Sequence, residues 1–131
     1  MSDFGRPADA AETSEIATLV GRYYAAAAAE QGTRACGMLF FALAESLAEK
    51  YGRAPGPLYL NGAETCQAVL TRVFAHFHAQ LRMRPAVALV HIGDGRARAL
   101  LDWKALPAAY IEARREGSSW KLESVLAAAL P

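Results

Sequence analysis

Apolar positions recur every three or four residues through the first sixty per cent of the chain and every second residue thereafter. Ile16, Leu19, Val20, Tyr23, Tyr24 and Ala27 fall on one stripe and predict a first helix. Thr13 or Ser14 is placed to cap it, Glu15 sits in its first turn, and Gly32 is its stop signal. Thr33 then caps a second helix with Cys36, Leu39, Phe40, Leu43 and Leu47 on its stripe. Whether that helix runs through or breaks near Phe41 stays open. Residues 52–62, GRAPGPLYLNG, read as a loop from their Gly and Pro content. Asn61 with Glu64 resembles a capping box for a third helix, which carries Cys66, Val69, Leu70, Val73, Phe77 and Leu81 and ends at residues 82–85.

The period then changes. AVALVHI is short and β-branched, and Gly93, Asp94 and Gly95 form a hairpin signal. RARALLDWK alternates, with Arg96, Arg98, Leu100, Asp102 and Lys104 on one side and Ala97, Ala99, Leu101 and Trp103 on the other. AYIEARR predicts a third strand, and WKLESVL, after the turn EGSS, a fourth with Trp120, Leu122 and Ser124 on one face. The fold class is therefore α+β: three N-terminal helices packed on a curved, mainly antiparallel four-stranded sheet. Residues 1–13 are polar, alanine-rich and patternless and read as a flexible tail or linker; residues 14–131 form a single domain.

At 131 residues such a domain buries roughly two thirds of its unfolded surface, enough for a core without metals. The net charge of +1 speaks against electrostatically driven binding to nucleic acid or membranes. No run approaches the ~18 apolar residues of a membrane span, and MSDFGRPADAAETS lacks the apolar segment of a signal peptide. Either the chain is cytosolic or it is a mature fragment with a new start methionine. Its two cysteines, Cys36 and Cys66, lie early in their helices and on the apolar stripes. Two buried thiols and one disulfide are both open readings.

The order of these pieces resembles a known family. A helix with a Tyr-Tyr pair and alanines, GRYYAAAAAEQG, is followed by a cysteine-bearing helix and a long helix. Then come VALVHIGDGRARALLDW and the closing REGSSWKLESVL. Over residues 14 to 126 this looks like the nuclear-transport-factor-2-like, or SnoaL-like, cystatin-like cone fold. It is closest to secreted or lipid-anchored actinobacterial members of unknown function. The resemblance implies a conical cavity, a homodimer through the sheet face and a Cys36–Cys66 disulfide, and with them an extracytoplasmic location. Members of the fold include isomerases, dehydratases and cyclases as well as proteins that only bind, so the fold alone does not give the function.

For an isomerase-type site the chain offers Tyr23, Tyr24, Asp102, Tyr110 and Glu112, with Tyr24 and Asp102 the candidates. A helical Tyr beside a Tyr and alanines is more often a packing residue, Asp102 shares the parity of Arg96 and Arg98, and no carboxylate marks the general base. His76 and His78 point about 200° apart on one helix, so with His91 they do not make a zinc site. Tyr24, Tyr59, Phe77, His91, Trp103 and Trp120 are the candidate cavity lining, although each of them also serves as a packing residue. No hydrolase motif and no phosphate loop is present. The expectation is a non-enzymatic extracytoplasmic domain that binds a small apolar ligand or a protein partner in or near its cavity, with no cofactor and no metal. An isomerase-, dehydratase- or cyclase-type enzyme and a structural dimerisation module are the alternatives.

Overall fold

Helix α1 (Ala10–Ala28) starts four residues before Ser14, because Asp9 rather than Thr13 or Ser14 caps it. The Asp9 carboxylate accepts from the Glu12 amide at 2.8 Å, and the Glu12 carboxylate accepts from the Asp9 amide at 3.0 Å. This reciprocal box satisfies two helix-end donors. The computed structural model describes residues 4–104 and 109–127. Its first described residues are built into the fold, in contrast to the tail read from the sequence. Strand β1 (Arg6–Pro7) pairs antiparallel with residues 91 and 92, and Arg6 meets Glu12 in a two-pronged ion pair at 2.9 Å. Gly5 makes this approach possible: at φ +57° it lies so near Ile92 that an added Cβ would stand 2.1 Å from the carbonyl oxygen.

Glu30, not Gly32, takes the left-handed conformation after α1, at φ 56°. Gly32 instead opens α2 (Gly32–Cys36), which has no side-chain cap at its start, from Thr33 or any other residue. A Cβ on Gly32 would meet the Thr71 hydroxyl at 2.4 Å, so glycine sets how closely α2 packs on the following helices. The chain then breaks before α3 (Phe41–Tyr51), which resolves the question left at Phe41. Residues 37–40 leave the helix to cover the edge of the last strand: the Leu122 amide donates to the Met38 carbonyl and the Phe40 amide to the Leu122 carbonyl, each at 2.8 Å. A 3-10 turn (Leu58–Leu60) follows. Thr65, not Asn61, caps α4 (Cys66–His76), its hydroxyl accepting from the Ala68 amide at 3.0 Å. Phe77 separates α4 from the short α5 (His78–Leu81).

Strands β2 (Ala86–Gly93), β3 (Arg96–Asp102), β4 (Ala109–Glu116) and β5 (Ser119–Leu122) complete an antiparallel sheet in the order β1-β2-β3-β4-β5. It thus has five strands where the alternation predicts four, because β1 is too short to show a period. Asp94 and Gly95 at φ 50° and 73° form the tight turn that the sequence signals. The registers Val90–Ala99–Ile111 and Ile92–Ala97–Ala113–Leu122 line the inner face. On the outer face Leu89, Leu100 and Tyr110 form one row and His91, Arg98 and Glu112 the next. Ser124 falls beyond β5.

Four rings pack together inside, among the described residues. Tyr23 meets Tyr24 edge-on at 5.7 Å and Phe74 at 6.0 Å, and Tyr24 meets Trp103 at 5.4 Å. These are favoured aromatic geometries, contributing about 0.5–1.5 kcal/mol each beyond burial. Tyr23, Tyr24 and Phe74 are fully buried, and Trp103 nearly so. They occupy the junction of α1, α4 and the end of β3, where the cone reading places a ligand cavity.

Candidate functional site

Tyr24 and Asp102 do not meet. Tyr24 lies inside, its hydroxyl accepting from the Ala127 amide at 2.9 Å, and burial pushes its pKa up to about 12. Asp102 is exposed on the outer face of β3, the neighbour of buried Leu101 and Trp103. The pleat that buries Trp103 turns Asp102 away. Tyr23 donates to the Val125 carbonyl, and burial, then the neighbouring Tyr24, raises its pKa above the ordinary value. The Tyr-Tyr pair therefore clamps residues 125–127 onto α1.

The other expected lining residues disperse. Trp103 donates its indole N–H to the Met83 carbonyl and belongs to the core. His91 faces outward: a bulge between Val87 and Leu89 shifts the register, so Val87 points inward while Leu89 and His91 point out. Tyr59 stacks on His76 at 3.9 Å and packs its loop onto α4; burial raises its pKa. Phe77 is half-buried at the α4–α5 break, edge-on to His76 at 4.9 Å. His78 instead contacts Glu30 at 3.1 Å. Among the described residues no group of three His, Cys, Asp or Glu gathers to hold a metal.

Cys36 and Cys66 do come together. Their Cα atoms are 6.2 Å apart, within the range a disulfide spans, and the sulfurs are joined at 2.08 Å. The bond ties α2 to α4.

Trp120 marks a surface groove. It lies at the β4–β5 hairpin against α1, only 8% exposed, and its indole N–H has no acceptor among the described residues. A depression of about 420 Å³ opens there between α1 (Ser14, Glu15, Thr18, Leu19, Arg22), Met38 and residues 118–120. A second, of about 540 Å³, adjoins it between α1 (Arg22, Ala25, Ala26) and the α2 region (Gln31, Arg34, Gly37, Met38). Arg22 and Met38 line both, so the two lie side by side along α1. Each half lies within the 300–1,000 Å³ usual for small-molecule sites. Among the described residues Arg22 and Arg34 have neither an ion pair nor a hydrogen bond.

The disulfide holds one wall of this groove, since α2 carries Arg34. The other wall is α1, and the floor rests on Met38 and Trp120. Of these residues only Trp120 stands out in the sequence as a lining candidate. Arg22 and Arg34 read as ordinary surface charge, and their sole signal is an arginine placed directly beside a buried Tyr23 or Ala35.

The chain matches no protein-family model, no curated protein and no solved structure.

Proposed function

We propose that this is a binding domain without catalysis, and that its ligand or partner is taken up in the groove between α1, the α2 region and β5 rather than in the interior. The observation that carries this reading is Trp120: a buried indole N–H without an acceptor among the described residues, in the floor of a groove. An unsatisfied buried donor costs about 1–3 kcal/mol, so its retention next to the groove favours a ligand that supplies the acceptor once the ring shifts to expose the N–H. The Tyr23–Tyr24–Trp103 packing weighs against the cone cavity as the binding place. Placing Tyr24 inside and Asp102 outside weighs against the isomerase, dehydratase or cyclase alternative.

The disulfide is compatible with an extracytoplasmic setting and with the secreted relatives that the sequence resembles. Among the described residues no helix is long and apolar enough to cross a membrane. The test is an amide-resolved NMR titration with a library of small apolar and amphiphilic compounds. Shifts clustering on Thr18, Leu19, Arg22, Met38 and Ser119 support the groove. Shifts clustering on Tyr24, Phe77 and Trp103 would return the site to the interior.

Homodimerisation through the outer sheet face is a second reading, favoured by one observation. Leu89, Leu100 and Tyr110 stand side by side across three strands, with Leu89 44% and Tyr110 40% exposed. Sedimentation equilibrium of the protein and of Leu89→Lys checks it: a dimer that the substitution dissociates is expected, and a monomer at all concentrations contradicts it.

A further inference from the structure

Taking the groove as the binding surface, we propose that its ligand is an anionic amphiphile: one carboxylate or phosphate-type head group on a short hydrocarbon body. The head-group end is set by Arg22 and Arg34. They line the same half of the groove from opposite walls, and among the described residues neither guanidinium has an acidic or carbonyl partner. Two free guanidiniums facing one depression present paired, planar donors suited to a carboxylate or a phosphate. The body would lie on Leu19, Ala25 and Met38, which give the groove its apolar surface.

Two further features narrow the ligand. Glu15 lines the opposite end, on α1 two helical turns before Arg22, about 10 Å along the axis. A carboxylate there repels a second negative group, so a ligand with one anionic head group fits and one with an anionic group at each end does not. Trp120, at the same end, asks for a neutral acceptor or a bridging water. The groove is therefore polarised: cationic toward α2, and toward the β4–β5 hairpin balanced by Glu15.

The test uses the intact, oxidised protein with sodium laurate, dodecyl phosphate, 1-dodecanol and dodecyltrimethylammonium as probes, all below their micelle concentrations. Isothermal titration gives the affinity, and amide shifts give the place. Laurate, dodecyl phosphate or both bind one per chain with shifts at Arg22, Arg34 and Met38, and whichever is tighter names the head group. Dodecanol and the ammonium bind at least roughly tenfold more weakly. An Arg22→Ala/Arg34→Ala variant loses about tenfold for the anions and leaves dodecanol unchanged; both side chains are exposed, so the fold survives. If dodecanol binds the groove as tightly as the anions, the head-group assignment is overturned and the groove reading stands. If no probe moves the groove residues, both are overturned.

Discussion

The guanidinium of Arg115 lies 4.8 Å from the centre of the Trp120 ring, its direct cross-strand partner in the β4–β5 hairpin. Arg115 also donates to the Ser118 carbonyl at 3.2 Å, so one side chain covers the ring and braces the turn beside it. A cation over an indole at an exposed hairpin contributes about 0.5–1 kcal/mol. Arg115→Ala is expected to lower stability by that amount in urea denaturation and to broaden the Trp120 indole resonance. No change in either measurement would show that the stacking does not hold the groove floor.

The two tyrosines predict an alkaline limit. Tyr24 has its pKa pushed up to about 12 from an ordinary 10.0, and Tyr23 is also raised, because burial disfavours the phenolate. The folded state keeps these protons after the unfolded state has lost them. The stabilisation is thus complete below pH 10 and is lost as pH rises from about 10 through about 12. Tyr23→Phe leaves the Val125 carbonyl without its donor and should cost about 1–2 kcal/mol. Ultraviolet titration of the phenolates and denaturation at pH 9 and 11 check both statements.

The bridge between Cys36 and Cys66 closes a separation of 30 residues. On the chain-entropy account it stabilises the fold by about 3–4 kcal/mol. Thiol titration of the denatured, unreduced protein should find none, and a reductant should lower the unfolding free energy by that amount. Two reactive thiols would contradict the bond.

Acid pH weakens the N-terminal anchor. Glu12 is held at about 2 against an ordinary 4.5, chiefly by its hydrogen bond to Arg6 and then by the Asp9 amide. Because the folded pKa is depressed, this contribution is present above pH 4.5 and fades as pH falls through about 2. In Arg6→Ala the Glu12 pKa should rise in a carboxyl NMR titration; an unchanged value would mean that the pair does not hold in solution.

The sequence made the core stripes and the Gly93–Gly95 hairpin readable because each depends on residues within one element. Asp9 and Glu12 also carried a readable cap signal, masked by the alanines that follow. Strand β1 was not readable, since two residues show no period, and neither was the bulge after Val87, which exists only relative to β3. The ring-filled interior was hidden for a different reason. Tyr24, Phe74 and Trp103 were visible, but whether rings line a cavity or close it depends on packing among three elements. The groove likewise exists only once α1, α2 and β5 meet; locally, Arg22 and Arg34 are two solvated charges.

The chain has two tryptophans, one in each competing place: Trp103 in the interior with its N–H on Met83, and Trp120 in the groove with its N–H unpartnered among the described residues. Their two indole N–H resonances, followed while the compound library is titrated in, test the central claim most directly. Binding in the groove moves the Trp120 signal, toward the position of a hydrogen-bonded indole, while that of Trp103 stays. Movement of the Trp103 signal with Trp120 unchanged would contradict it.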